Sequence, residues 1–205
     1  MSNYSQTKKA IINASMQEFL EKGYMDANLR HIAARAGVTT GAIYGYFSDK
    51  HELFRALVEP VATDFYEQFE QVTEAFNNLP EAEQVALMHT YSDQALKEFF
   101  DYVYEHFDIF RLIKCCSAGT EYEQYIERMV EVETKNTRQF ISVLEKQGYA
   151  PVPIRDNLLH ILANAYFSTI FEVVEHNMQK DEAQAYVGHI SAFFSAGWDS
   201  LLKYT

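Results

Sequence analysis

One short stretch, "VTTGAIYGYFSDK" at residues 38–50, combines residue types that contact nucleic acid. Tyrosine hydroxyls and a lysine ammonium group donate hydrogen bonds to phosphate oxygens, and the start of a helix adds free N–H donors. A threonine can read a base edge, an alanine can touch a thymine methyl group, and a glycine permits close approach. The residues that carry this prediction are Thr40, Gly41, Ala42, Tyr44, Tyr46 and Lys50.

Two short predicted helices, 29–36 and 40–46, position these side chains. Asn28 is a suitable N-cap for the first helix, and Gly37 suits the left-handed conformation that ends it. The linker "AGVT" then has the length and the glycine of a helix-turn-helix, whose second helix enters the major groove of DNA.

The second helix has an inner and an outer side. Thr39 can cap its start, and Ile43 and Phe47, four residues apart, can pack against the preceding helices. Thr40, Gly41 and Tyr44 then face outward.

The rest of the chain also shows helical rather than strand spacing, so we predict an all-α fold. A first helix spans 6–22 and stops at Gly23, and a capping box at Asp49 and Glu52 starts a fourth helix, which Pro60 should interrupt. This fourth helix spans 50–76, and the predicted helices after it span 81–106, 108–117, 121–147, 155–178 and 182–203.

The stretch "IINASMQEFLEKGYMDANLRHIAARAGVTTGAIYGYFSDKHELF" resembles the N-terminal domain of the TetR (tetracycline repressor) family of bacterial transcriptional regulators. The resemblance covers roughly residues 6–55. It implies that Thr39 and the residues named above at 40, 41, 44, 46 and 50 face DNA, with Arg30 able to reach it. Thr40 stands where the family often has lysine. Gly45, which we include in the DNA-facing set, stands where an aromatic residue or histidine is common.

The resemblance also implies a division of labour: a helix-turn-helix DNA-binding domain at 1–50 and a helical effector-binding and dimerisation domain at 51–205. The expected function is a repressor that binds a palindromic operator in double-stranded DNA as a homodimer and is released by a small hydrophobic or aromatic effector. The alternative is an all-α small-molecule-binding protein or enzyme whose DNA binding has degenerated.

Charge is distributed unevenly along the chain. The net charge is −12, yet residues 1–55 carry +2 and the remainder −14. A polyanion would therefore be met only by the N-terminal segment. No signal peptide or membrane-spanning run is visible, so the sequence predicts a cytoplasmic protein that does not enter a membrane.

An excess of aromatic residues over 96–125 suggests an apolar effector pocket, although the same residues could simply fill a helical core. Tyr102 and His106 share a helix face and are the first polar candidates for ligand contact. Asn164, in an otherwise apolar helix, is the third.

The sequence offers no sign of catalysis. The adjacent Cys115 and Cys116 fit small apolar core residues better than a redox pair, and no histidine has metal-ligand spacing. No glycine-rich loop or nucleophile elbow is present. We therefore predict no catalytic residues, no metal, no cofactor and no enzymatic activity.

The last two predicted helices, 155–178 and 182–203, are apolar on almost every side. A helix of that kind must be covered twice, once by its own chain and once by a partner. We therefore predict that these helices form a four-helix interface in a homodimer.

Overall fold

The computed structural model describes residues 3–204, and the predicted all-α fold is confirmed over them. None of these residues lies in a strand. The helices, in chain order, are α1 (Asn3–Asp26), α2 (Leu29–Ala36), α3 (Thr40–Tyr44), α4 (Lys50–Asn77), α5 (Glu81–Glu105), α6 (Phe107–Cys116), α7 (Tyr125–Lys146), α8 (Asp156–Glu175) and α9 (Lys180–Leu202), with a 3-10 turn at Glu121–Gln124 before α7. Within the described range no helix is long and apolar enough to cross a membrane.

The contacts divide the chain into two compact units. The head unit comprises the described residues up to Asp64 together with His106–Tyr125. The body unit comprises Phe65–Glu105 and the described residues from Ile126 onward. Helix α4 therefore begins in the head unit and ends in the body unit. The functional division at residue 50 remains a prediction, and the contacts add a later segment, α6 and the 3-10 turn, to the N-terminal helices.

Local capping signals determine the ends of the short helices in the head unit. The Asn28 side chain accepts a hydrogen bond from the Arg30 N–H, and Gly37 ends α2 in the left-handed conformation with φ 67°. At the start of α4, the Glu52 N–H donates to Asp49, and Glu52 accepts from the Ser48 N–H. These bonds satisfy backbone groups that every helix end leaves without partners, and they confirm the predicted caps.

The core of the head unit is built from apolar residues of the short helices and from aromatic rings. Ile32 of α2 and Ile43 of α3 are fully buried, and Phe47 is 4% exposed. Phe19 and Phe54 meet edge to face at 5.0 Å. Helix α6 packs against α1 with its own apolar stripe. The predicted core role of Ile43 and Phe47 is therefore confirmed.

Of two predicted helix limits, one is confirmed and one is wrong. The regular part of α1 stops at Gly23 as predicted, because Gly23 has a non-helical conformation with φ 72° and ψ 165°, and only a short turn beyond this kink continues to Asp26. Pro60 does not interrupt α4, which runs through it. Pro60 lies on the exposed side of α4, as does Ala56 one turn earlier, so water can reach the carbonyl that the proline leaves without a donor.

The body unit is a helical bundle that buries residues of four helices in one cluster. Phe76 of α4, Phe140 and Leu144 of α7, Leu159 of α8 and Leu202 of α9 lie together in this cluster. Helices α8 and α9 also pack on one another.

Candidate nucleic-acid interface and effector cavity

Helix α3 is held from one side and open on the other. Its N-cap Thr39 accepts a hydrogen bond from the Ala42 N–H at 3.1 Å. Ile43 anchors the helix in the core, whereas Tyr44 is 55% exposed. We call Thr39, Thr40, Gly41 and Tyr44 the outer face of α3. It presents two hydroxyl-bearing threonines, a bare backbone and a phenol.

Glycine at position 41 is not demanded by the fold. A Cβ atom built at Gly41 would have Thr39 Oγ1 as its closest neighbour at 3.8 Å, an ordinary van der Waals contact. At Gly45 a Cβ atom would lie 3.3 Å from the Ala42 carbonyl oxygen, which is tight. Packing within the chain is therefore a reason for glycine at position 45 but not at position 41. A partner that approaches the backbone closely is a reason for glycine at Gly41.

The two arginines of α2 differ in whether they are free to bind a phosphate group. Arg35 donates to Glu21 at 2.8 Å and lies 3.5 Å from a Glu18 oxygen, so it is tied to α1. Its hydrogen bonds to Glu21 hold the pKa of that carboxyl below its usual value. Arg30 is exposed, and among residues 3–204 its guanidinium has no ion-pair partner. It can therefore reach a phosphate without breaking an existing pair.

The side chain of Tyr46 is already in contact with α1. Its ring lies 4.6 Å from the ring of Tyr4, and its hydroxyl donates to the Tyr4 carbonyl at 3.3 Å. The predicted phosphate contact of Tyr46 would compete with this bond.

Lys50 has a structural role that the sequence did not suggest. Its ammonium group donates to the carbonyl oxygens of Tyr24, Met25 and Ala27, at 2.6, 2.9 and 3.2 Å. It also lies 4.6 Å from the centroid of the Tyr24 ring. All three ammonium protons are thus engaged at the end of α1. The predicted phosphate contact of Lys50 stays a prediction, and it would require one of these bonds to be exchanged.

One feature of the sequence could have indicated that a donor is needed at the end of α1. The last turn of α1 holds no basic residue, although carbonyl groups at a helix end need donors. A cation from elsewhere in the chain is then expected, but local patterns do not say which one.

The body unit contains a cavity of about 210 Å³ between α4, α5, α7 and α8, which is partly open to solvent. Its wall is dominated by aromatic side chains, namely Phe65, Phe69, Phe76, Tyr91, Phe99, Phe100, Phe140, Tyr166, Phe167 and Phe171. An apolar wall with a few polar groups is typical of a small-molecule site.

The polar groups of the cavity come from all four helices, and α7 supplies the one charged residue among the described residues of its wall. Glu133 accepts a hydrogen bond from the Thr137 hydroxyl at 3.3 Å, and Asn77 donates to the Asn136 side chain at 2.9 Å. Burial raises the pKa of Glu133, and burial raises the pKa of Tyr166 to about 12. None of the described residues that line the cavity is a lysine, arginine or histidine.

The structure does not bring the three predicted ligand residues into this wall. Tyr102 lies 5.5 Å from the ring of Phe65 but does not line the cavity. His106 is the N-cap of α6 and belongs to the head unit, because α5 ends one residue before it. Asn164 is exposed on α8 and accepts a hydrogen bond from Ser168 at 3.4 Å.

Sequence reasoning missed Glu133 because it stands in the charged run "EVETK", which is typical of a solvated face. Helical spacing could have found it. Met129, Glu133, Asn136 and Phe140 lie four, three and four residues apart and all line the cavity.

Helices α8 and α9 expose large apolar side chains. Leu158 and Ile161 of α8 are 42% and 57% exposed, and Phe193 of α9 is 73% exposed. These are the helices predicted to meet a partner chain.

Comparison with known proteins agrees with this architecture. Residues 11–57 match the family model of bacterial regulatory proteins, tetR family. The uncharacterized HTH-type transcriptional regulator TtgW of Pseudomonas putida is 30% identical over 128 residues, which cover 59% of this chain and 92% of TtgW. The HTH-type transcriptional repressor BepR of Brucella suis is 44% identical over 54 residues, 26% of each chain, so the match spans about a quarter of that relative.

The fold is also found among solved structures. The transcriptional regulator FadR of Bacillus subtilis, solved in complex with stearoyl-CoA, superimposes with a TM-score of 0.51 at 16% identity. The superposition covers 89% of this chain and 97% of FadR. At that identity it shows the shared fold alone.

Proposed function

Because this chain belongs to the TetR family of bacterial regulatory proteins, we propose that it is a DNA-binding transcriptional regulator controlled by a small-molecule effector. The outer face of α3 carries the proposal. It is the N-terminal part of a helix whose other side is fixed in the core by Ile43, the arrangement that a helix-turn-helix uses in the major groove. We assign the chain no enzymatic activity and place it in the cytoplasm.

The contacts divide by the chemistry of the side chains. Thr40 and Ala42, in the first turn of α3, suit base edges and thymine methyl groups, so they set sequence preference. Tyr44 and Arg30, both exposed, suit phosphate oxygens, which position the protein without reading sequence. The bare backbone at Gly41 lets the helix approach closely.

The regulator acts as a homodimer in this proposal. The exposed side chains Leu158, Ile161 and Phe193 supply an apolar surface on α8 and α9 for a second copy. A two-fold dimer presents two copies of α3, so the operator should be a palindrome with two matching half-sites.

Effector binding in the body cavity is proposed to release the repressor from its operator. Linkage then requires that operator and effector weaken each other's affinity by the same factor. The aromatic wall supports an apolar or aromatic effector.

Fluorescence anisotropy with DNA from upstream of the gene tests the proposal. We expect wild-type protein to bind a palindromic fragment there, and Thr40→Ala to change the preferred sequence, with a loss on the order of 1–3 kcal/mol at one position of each half-site. Thr90→Ala, at an exposed position of α5, is the matched control and should bind like wild type. Equal, weak binding of all DNA by wild type would leave the alternative, a small-molecule-binding protein with degenerate DNA binding.

A further inference from the structure

We infer that the body cavity selects a lipophilic cation, such as a quaternary ammonium compound with an aromatic group, and discriminates against carboxylates of similar size. The inference rests on the proposed function, in which this cavity is the effector site. It adds the charge of the effector.

The charge balance of the cavity wall is the first argument. Glu133 is an acid, and none of the described lining residues is a base. An anionic ligand would therefore enter a low-dielectric space that holds a carboxyl group and no counter-ion, which is unfavourable. A cation would instead meet a carboxyl group that can ionise and become its counter-ion.

The aromatic wall is the second argument. Ring faces attract cations, and this attraction grows when water is excluded. Phe99, Phe167 and Tyr166 are among the rings that share the wall with Glu133. A quaternary ammonium group needs no hydrogen-bond acceptor, so ring faces and one carboxylate satisfy it completely.

The position of Glu133 is the third argument. Its carboxyl accepts one hydrogen bond, from Thr137 at 3.3 Å, and a carboxylate has about four acceptor sites. Burial without a cation favours its neutral form, and an incoming cation restores the ionised form. The ionised form is therefore stabilised by a ligand of positive charge, whereas an anion could accept at most one hydrogen bond from the neutral form.

Three matched probes test the inference by isothermal titration: trimethyl(4-phenylbutyl)ammonium, its neutral isostere with carbon in place of nitrogen, and 5-phenylpentanoate. We expect the cation to bind about tenfold or more tightly than the isostere, as a desolvated cation–aromatic contact with a counter-ion provides. The carboxylate should bind most weakly. Equal or tighter binding of 5-phenylpentanoate would overturn the inference.

Variants test whether the effect depends on Glu133. Glu133→Gln should lower the cation-to-isostere ratio several-fold, to the part that the ring faces alone provide, and Glu133→Asp, which keeps the charge, should retain more of the preference for the cation. Glu131→Gln, two residues away on the exposed side of α7, is the control and should keep the wild-type ratio. An unchanged ratio in Glu133→Gln would show that the carboxyl does not select charge.

A parallel operator titration separates this inference from the proposed function. If wild type binds the operator and the cation weakens that binding, both stand. If the cation binds at Glu133 but leaves operator affinity unchanged, the effector role is refuted although the cavity does select cations. If wild type binds no operator at all, DNA regulation is refuted whatever the probes do.

Discussion

Removing the ammonium group of Lys50 should loosen the end of α1 rather than remove a phosphate contact. Lys50→Met keeps an unbranched apolar stem and deletes the group that donates to the carbonyl oxygens of Tyr24, Met25 and Ala27. Each hydrogen bond to a charged group contributes about 1.5–3 kcal/mol net. Because one half-buried ammonium supplies all three and water can partly replace it, we expect a total loss of about 3 kcal/mol.

The loss corresponds to a decrease in melting temperature of roughly 6–12 °C for a chain of this length. Circular dichroism at several temperatures measures it. Lys22→Met, at an exposed lysine of α1, is the matched control, and its melting temperature should stay close to that of wild type.

Operator binding at several salt concentrations distinguishes the two roles of Lys50. If the side chain acts only within the head unit, the slope of log affinity against log salt should equal that of wild type. If it neutralises one phosphate in each subunit of the dimer, the slope should decrease by about 1.8, which is about 0.9 for each lost contact. A wild-type melting temperature together with that decrease would refute the structural role and support the phosphate contact predicted from the sequence.

Three further outcomes are expected. Gly41→Ala should fold at least as stably as wild type, since the added methyl group meets nothing closer than 3.8 Å, yet it should weaken operator binding; normal binding would exclude close approach at this position. Phe193→Glu should convert a dimer to a monomer in light scattering at micromolar concentration, whereas Leu87→Glu, on α5, should not. A wild-type protein that is already monomeric would refute the proposed dimer interface. Glu133→Gln should raise the melting temperature at neutral pH. Because the pKa of Glu133 is raised, its contribution to stability is complete below the ordinary carboxyl pKa and is lost as pH rises. The difference in melting temperature between variant and wild type should therefore vanish near pH 4. A difference that stays constant with pH would contradict the burial of this group.

The sequence by itself was sufficient for the local structure of the helix-turn-helix. Asn28, Gly37 and Thr39 cap their helices as predicted, because capping depends on residues two to four positions apart. The buried position of Ile43 followed from its spacing with Phe47, since helix periodicity alone decides which residues share a face. The all-α fold and the family resemblance rest on signals of the same local kind.

Only the tertiary structure decided which distant groups meet. The carbonyl acceptors of Lys50 lie 23 to 26 residues earlier in the chain, and no local pattern specifies them. Asn164 was predicted to face a ligand, but α8 turns Leu159, Ala163 and Phe167 inward and leaves Asn164 exposed. For Glu133 the opposite holds, since this residue stands in a charged run and yet lines the cavity. The packing of α7 against its neighbours, rather than the local sequence, determines which face of the helix is covered.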